Sequence, residues 1–152
     1  MDLILLLEEL QDSCLPLLKS KKIQYRCDID EDNEVYLMGD YNRLKQVCIN
    51  MIKNSMEALK DCDNPCISIS YKVKNSYVYI YIEDNGCGMN KEVLSKIKEP
   101  FFTTKGTGTG LGVTISHEVI RVHGGIIRYH SKEGKGTRVE IILPLEQRNS
   151  VY

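Results

Sequence analysis

Apolar and polar residues follow two different periods along this chain, and each period predicts one kind of element. Apolar residues recur every three to four positions, as on one face of a helix, over residues 2–20, 41–60, 91–98 and 110–123. They alternate with polar residues, as on a half-buried strand, over residues 23–29, 35–38, 66–73, 77–84, 125–131 and 137–145. The pattern therefore predicts helices and strands mixed along the chain.

Local signals at the ends of these segments support the assignment. Asp40 is a preferred N-cap residue directly before the long second helix, whereas Pro16 predicts an irregularity within the first helix. Residues 74–76 form a predicted hairpin turn, residues 99–109 an irregular segment, and the glycines at 134 and 136 a turn between the last two strands. We expect an α/β fold: a two-layer sandwich of a mixed β-sheet and three main helices packed on one face.

Composition narrows the class of protein. With 152 residues, of which 42% are hydrophobic, the chain is long enough for a single globular domain over residues 1–152. A formal net charge of -1 gives no reason to expect a nucleic-acid partner. The longest apolar run, Leu3–Leu7, is too short to span a bilayer. We therefore expect a domain that contacts neither nucleic acid nor membrane.

Cysteine usage indicates the compartment. The six cysteines include no Cys-x-x-Cys pair, and several lie in apolar segments where a reduced thiol acts as a small hydrophobe. This favours the reducing cytoplasm, with a parent protein that is either soluble or membrane-anchored. Cys62 and Cys66 lack a second pair of ligands, so no metal site is predicted there.

The segment Lys105–Gly112 reads KGTGTGLG, with a glycine at every second position from Gly106, and a predicted helix follows directly. Glycine loses more backbone freedom on folding than any other residue, so this spacing is costly unless the backbone must approach a ligand closely. A helix N-terminus offers unpaired N–H groups and a partial positive charge, which favours phosphate. A flexible linker ending in a helix cap explains the glycines equally well, and neither the Walker loop nor the dinucleotide fingerprint matches.

The long second helix carries a third stripe besides its apolar and lysine-bearing faces. At about 100° per residue, its apolar face consists of Leu44, Val47, Cys48, Met51, Ser55 and Leu59, and its third stripe of Arg43, Gln46, Asn50, Asn54, Glu57 and Asp61. Asparagine costs about 0.5–0.7 kcal/mol relative to alanine inside a helix, so two asparagines one turn apart suggest a function. Magnesium accepts one or two protein oxygens beside phosphate oxygens. A merely solvated flank is the alternative.

The segment EDNGCGM places Asp84 where a strand ends. An ionised carboxylate only accepts hydrogen bonds, so it matches the exocyclic amine of adenine and repels the carbonyl that guanine presents there. The two following glycines allow backbone to lie against a flat ring. An ordinary Asp-Asn-Gly turn is the alternative and, from this segment alone, the simpler explanation.

Four segments in order resemble the conserved boxes of the ATP-binding catalytic domain of bacterial sensor histidine kinases. They are QVCINMIKNSMEA at 46–58, EDNGCGM at 83–89, EPFFTTK at 99–105 and GTGLG at 108–112, which are similar to the N, G1, F and G2 boxes. The resemblance covers nearly the whole chain, and the last two segments look like the sporulation-kinase and nitrogen-regulator type. It implies the GHKL or Bergerat ATP-binding fold, ATP and Mg²⁺ as ligands, and a downstream response regulator.

The resemblance also implies a role for each matching residue. Asn54 would bind Mg²⁺, and Asn50 and Glu57 would line the phosphate side, with Asn50 and Asn54 as the catalytic pair. Asp84 would accept from the adenine amine. The implied adenine pocket consists of Gly86, Gly88, Met89 and Thr137. The implied lid consists of Phe101, Phe102, Thr103, Thr104 and Lys105, and Lys105 would contact phosphate. The implied phosphate cradle consists of Gly108, Thr109, Gly110, Leu111 and Gly112.

One part of the family pattern is missing from these residues. No phosphoacceptor histidine hairpin precedes the domain, so we expect a fragment of a longer sensor kinase whose acceptor histidine lies on a separate dimerisation domain. Ser116, His117 and Glu118 imitate the acceptor sequence, but the Arg/Lys-x-Pro that usually follows is absent. We interpret His117 and Glu118 as a helix-surface pair.

Other functions share the same nucleotide fold. ATP-hydrolysing relatives and anti-sigma serine kinases carry a glutamate one turn before the metal-binding asparagine, where this chain has Asn50. An amide cannot act as a general base at neutral pH, so negligible hydrolysis is expected. A module that binds nucleotide or a partner protein without catalysis is a further alternative.

Overall fold

The computed structural model of the chain describes residues 1–30, 32–97 and 111–146. Within them the elements follow the predicted order: α1 Leu3–Ser20, β1 Gln24–Asp28, α2 Tyr41–Ala58, β2 Cys66–Lys74, β3 Tyr77–Asp84, α3 Lys91–Lys96, α4 Leu111–Val122, β4 Ile126–Lys132 and β5 Gly136–Pro144. The helix α1 continues through Pro16 to Ser20. No helix among the described residues combines the length and apolar character needed to cross a bilayer.

Side-chain caps explain where three of the helices begin. The carboxylate of Asp2 accepts hydrogen bonds from the first turn of α1, and that of Asp40 accepts from the Arg43 N–H in α2. Asn90 caps α3 in the same way. Each of these side chains satisfies an N–H group that has no partner within its helix, so the short polar residue fixes the start of the helix.

The sheet is mixed, as predicted, with the strand order β1-β2-β3-β5-β4. Strands β1 and β2 are parallel, and every other neighbouring pair is antiparallel. The hairpin between β2 and β3 needs only Asn75 and Ser76, and Asn75 takes a positive φ of 57°. Asparagine tolerates this backbone conformation better than most residues, which suits it to the turn.

The helices cover one face of the sheet, which confirms the two-layer α/β sandwich. Residues Val78, Ile80 and Ile82 of β3 point to this face and are buried. All six residues predicted for the apolar face of α2 are also buried. The opposite face of the sheet carries Tyr81 and Arg138, whose guanidinium lies 4.0 Å from the centroid of the tyrosine ring.

The strand predicted over residues 35–38 does not form. Tyr36 makes an isolated antiparallel bridge with Asp2, and the neighbouring backbone groups bond to the start of the chain. The alternation nevertheless predicted burial correctly, because Val35 and Leu37 are buried while Met38 is 72% exposed. The alternation of buried and exposed side chains therefore reflects an extended backbone here. This backbone forms hydrogen bonds with the start of α1 instead of joining the sheet.

Candidate functional site

The polar stripe of α2 lies beside the first turns of α4. The amide nitrogen of Gln46 donates to Oδ1 of Asn50 at 3.0 Å, and Nδ2 of Asn50 donates to Oγ of the buried Ser116 at 3.5 Å. Among the described residues outside α4, a Cβ atom added to Gly112 would have only Asn50 Nδ2 as a neighbour, at 4.0 Å. The end of the glycine-rich segment and the asparagine stripe therefore face the same space.

A histidine fixes α4 against α2. Nδ1 of His123 lies 2.7 Å from the Val119 carbonyl, and Nε2 lies 3.0 Å from the backbone nitrogen of Asp40. A carbonyl can only accept and an N–H can only donate, so these two contacts assign the donor role to Nδ1 and the acceptor role to Nε2. Asp40 is also the N-cap of α2, so this contact sets the two helices antiparallel. The sequence placed His123 at a helix end but gave no indication of this bridge.

Asp84 ends β3 on the helix-facing side of the sheet and is half-buried. Burial raises the pKa of its carboxyl above the usual value of 3.8, while hydrogen bonds from the Gly86 N–H, the Ser55 hydroxyl and the Thr137 N–H oppose this rise. The Gly86 bond to Oδ1 measures 2.9 Å. Ser55 was counted with the apolar face of α2. A serine in an otherwise apolar stripe was the available signal that this position meets a polar partner.

A row of polar side chains crosses three strands at this end of the sheet. Asp84 in β3 is the register partner of Thr137 in β5, which in turn pairs with Ser131 in β4. The hydroxyl oxygens of Ser131 and Thr137 are 2.8 Å apart. The structure therefore brings Thr137 beside Asp84, as the resemblance implied, and adds Ser131, which the sequence analysis did not select.

The two glycines assigned to the adenine pocket contact protein backbone. A Cβ on Gly86 would lie 2.4 Å from the Ala58 carbonyl oxygen at the end of α2. Gly88 has a φ of +67°, and a Cβ there would lie 2.1 Å from the Lys132 carbonyl oxygen. Both positions therefore require glycine for the packing of the loop, whether or not a ligand is bound. Met89 follows, and its N–H donates to Ser131 Oγ at 2.7 Å.

Asn54 and Glu57 continue the polar stripe one and two turns beyond Asn50, the first half-buried and the second exposed. Amide and carboxylate oxygens are suitable ligands for Mg²⁺. Among the described residues no group of three or more histidine, cysteine, aspartate or glutamate side chains could hold a metal ion. The Asn54 amide oxygen could therefore serve as a single protein ligand to a cation that takes its other ligands from phosphate and water.

Part of the predicted site lies outside the described residues, namely Phe101, Phe102, Thr103, Thr104, Lys105, Gly108, Thr109 and Gly110. Leu111 begins α4, and its side chain also lies outside the description.

The sequence that imitates a phosphoacceptor has structural partners. Glu118 forms a two-point contact with Arg121, with bonds of 3.0 and 2.6 Å on the exposed surface of α4. His117 is half-buried, and its Nε2 lies 2.9 Å from the Tyr129 hydroxyl of β4. Glu118 is thus a surface residue, as interpreted, whereas His117 packs between α4 and the sheet. His130, for which no partner was predicted, lies 3.1 Å from Glu140.

Known proteins resemble this chain over most of its length. The family described as histidine kinase-, DNA gyrase B-, and HSP90-like ATPase matches residues 39–147. Sporulation kinase E of Bacillus subtilis (strain 168) is 40% identical over 126 residues, which are 82% of this chain and 17% of that protein. The chain thus spans less than a fifth of the length of this relative.

Solved structures of histidine kinases also resemble this chain over most of its length. The catalytic domain of the histidine kinase ThkA is 31% identical with a TM-score of 0.80, and the match covers 95% of this chain and 93% of that domain. The histidine kinase ThkA in complex with the response regulator protein TrrA is 26% identical with a TM-score of 0.79, covering 96% of this chain and 41% of that one.

Proposed function

Because the chain belongs to the histidine kinase-, DNA gyrase B-, and HSP90-like ATPase family, we propose that it is the ATP-binding catalytic part of a histidine kinase. It binds Mg-ATP and presents the γ-phosphoryl group to a histidine on a separate phosphoacceptor domain. Catalysis on this proposal consists mainly of positioning and of neutralising charge.

One observation carries the proposal above all others. The asparagine stripe of α2 and the first turn of α4 line one space, since a Cβ atom built on Gly112 would lie 4.0 Å from Nδ2 of Asn50. Helix α4 runs away from this space, so its N-terminal N–H groups and positive dipole end point into it. A polyphosphate fits between an amide stripe and such a helix start.

The base end of the proposed site is the polar row at the sheet edge. Asp84 supplies an acceptor for the adenine amine, and Thr137 lies beside it on β5. Ser55 links this row to α2, and Asn54 is one residue before Ser55 on that helix. The proposed adenine and metal sites therefore both border the C-terminal half of α2.

Two features favour phosphoryl transfer to a protein over hydrolysis. Asn50 stands where a hydrolase of this family needs a glutamate base, and an amide does not take up a proton at neutral pH. Its carboxamide is also engaged by Gln46 and Ser116. When bound, Mg²⁺ would neutralise phosphate charge, and Asn54 would hold it with Asn50 on the phosphate side.

The remaining partners follow from the same proposal. The chain acts as one part of a longer sensor kinase in the cytoplasm, since Sporulation kinase E is much longer than the matched region. Its protein partners are the phosphoacceptor histidine domain and, downstream, a response regulator, the class of protein with which the histidine kinase ThkA was solved.

The binding roles are tested by titrating residues 1–152 with a non-hydrolysable ATP analogue and Mg²⁺ in a calorimeter. Asn54→Ala should abolish the Mg²⁺-dependent part of the affinity, and Asp84→Ala should lower the affinity at least tenfold, the cost of about 1.4 kcal/mol. Asn42→Ala, an exposed asparagine of α2 away from the stripe, is the matched control and should bind normally. Unchanged binding by either test variant overturns its assigned role.

The reaction type needs a separate experiment. The domain is mixed with a phosphoacceptor hairpin from a related kinase and radiolabelled ATP. Acid-labile, base-stable label on the hairpin supports the kinase, whereas steady phosphate release in the absence of the hairpin supports a hydrolase. Binding of nucleotide without either product supports the non-catalytic module.

A further inference from the structure

A groove lies between the C-terminal ends of α1 and α2. Its volume is about 670 Å³, and small-molecule sites in proteins typically occupy about 300–1,000 Å³. Its lining includes Leu17 of α1 and Lys53 of α2 but none of Asn50, Asn54 or Asp84. The groove therefore lies on the α1 side of α2, whereas the proposed nucleotide site lies on the α4 side.

Three basic side chains line this groove: Lys21, Lys53 and Lys60. Among the ion pairs that the described residues form, none includes these lysines, whereas Lys45 of α2 pairs with Glu9 of α1 at 3.7 Å. Burial raises the pKa of the Cys14 thiol in α1, and the Lys53 ammonium opposes this rise. Lys53 therefore lies close to α1, and the ammonium groups of the groove are available to an anion.

Apolar side chains line the groove beside these lysines. Leu17 of α1 is 44% exposed, and Met56 of α2 is half-buried. Pro65, which precedes β2, also lines the groove. A single exposed leucine is ordinary on a protein surface, but here it shares one concave surface with a second apolar side chain and with ammonium groups. This combination fits a ligand that joins an anionic group to an apolar body.

The net charge of the lining limits the charge of the ligand. Glu57 and Asp61 also line the groove, and both belong to the polar stripe that holds Asn50. Three lysines and two carboxylates leave one positive charge in the lining. Such a site attracts a single carboxylate, whereas the carboxylates of the lining repel a polyphosphate more strongly than they repel a monoanion.

We propose that this groove binds a small, water-soluble carboxylate with an apolar body. Its carboxylate lies among the lysines, and its apolar body packs against Leu17 and Met56. The site is independent of the proposed function, because Glu57 at its rim is the one lining residue that was assigned to the nucleotide.

The probe for the test is sodium decanoate, kept below the concentration at which it forms micelles. It is titrated into ¹⁵N-labelled residues 1–152, and the amide shifts are followed by NMR. Saturable shifts are expected at Leu17, Lys21, Lys53 and Met56, with a Kd of about 1–5 mM, typical for a ligand of this size. Acetate lacks the apolar body and decyltrimethylammonium has the opposite charge, so neither should shift these amides.

Matched variants separate the groove from the rest of the surface. The double variant Lys21→Gln, Lys53→Gln should weaken decanoate binding about threefold to tenfold, and Leu17→Gln should weaken it at least about threefold. Leu5→Gln changes a leucine of α1 with a similar exposure of 46% outside the groove. Lys72→Gln changes an exposed lysine of β2. Both control variants should bind decanoate like wild type.

Four results would overturn the proposal. They are the absence of saturable shifts up to about 10 mM decanoate, equal affinity of Leu17→Gln and wild type, displacement of decanoate by a non-hydrolysable ATP analogue with Mg²⁺, and binding to phosphatidylglycerol vesicles without binding to monomeric decanoate. The last result would assign the groove to a membrane surface. Decanoate binding by a protein that does not bind the ATP analogue supports this inference and overturns the proposed function alone.

Discussion

Replacing Gly86 with alanine should destabilise the fold in the absence of any nucleotide. The added Cβ would lie 2.4 Å from the Ala58 carbonyl oxygen and 2.8 Å from its carbonyl carbon, whereas ordinary contacts begin at 3.4 Å. Both atoms are backbone at the end of α2, so no side chain can rotate away. The same carbonyl accepts the Cys87 N–H at 3.1 Å, and a shift that relieved the clash would lengthen that bond.

The size of the effect follows from this overlap. The loop and the helix end must separate by about 1 Å, and overpacking of this kind costs about 1–3 kcal/mol. For a domain of this size, a loss in that range lowers Tm by roughly 2–12 °C. Nucleotide affinity should fall as well, because Asn54 lies one turn before the displaced end of α2.

Gly112→Ala is the matched control, since the sequence pattern assigned both glycines to ligand binding. In the part of the chain that the structure describes, a Cβ at position 112 would meet Asn50 Nδ2 at 4.0 Å, an ordinary contact. Alanine is also a better helix former than glycine by about 1 kcal/mol. Without nucleotide, the Gly112→Ala variant should melt at or above the wild-type temperature. It should nevertheless bind ATP less tightly if phosphate approaches this turn.

The assay is thermal unfolding followed by circular dichroism at 222 nm without nucleotide, supported by urea titration to obtain the free energy of unfolding. A Gly86→Ala variant that melts within about 1 °C of wild type, a shift below that expected for 1 kcal/mol, contradicts the packing argument. Gly86 would then be required by the ligand and not by the end of α2.

Three further predictions concern the pH dependence of stability, the contact between helices and the start of a helix. Because burial raises the pKa of Asp84, its contribution to stability is present below pH 3.8 and is lost as pH rises through the raised pKa. As pH rises from 3.8 through the raised pKa, the free energy of unfolding of wild type should therefore fall relative to that of Asp84→Asn. Urea titrations in which the difference between the two proteins stays constant with pH refute this. His123→Ala removes the acceptor for the Asp40 N–H and should lower the free energy of unfolding in urea by about 1–2 kcal/mol. His123→Gln should restore part of this loss. Equal losses in both variants argue against the hydrogen bond. Asn90→Ala removes the cap of the Val93 N–H and should cost about 0.5–2 kcal/mol, with Asn90→Asp near wild type; a neutral alanine variant refutes the cap.

Most of the elements were predictable because the signals for them are local. The apolar spacing of α2 and the alternation in β3 are visible within a few residues, and Asp40 marked a helix start correctly. The segment at 35–38 shows the limit of such signals. Its alternation gave the correct buried side chains, but whether an extended segment joins a sheet depends on which backbone is its neighbour.

The candidate site divides in the same way. Asp84 and Thr137 were selected from their segments and from family resemblance, and they are neighbours across β3 and β5. Ser55 was assigned to the core because its helical position is apolar on both sides. A serine in an apolar stripe indicated a polar partner, but no local signal could reveal that this partner is a carboxylate on a strand that follows much later in the chain.

By itself, the sequence determined the elements, the buried face of α2 and the residue types able to bind a nucleotide, because periodicity and chemical type are properties of short segments. Only the tertiary structure decided that Gly86 is required by the end of α2 and that Ser131 joins Met89 to Thr137. Contacts of this kind link residues far apart in sequence and depend on distances of a few ångströms, which the folded arrangement alone sets.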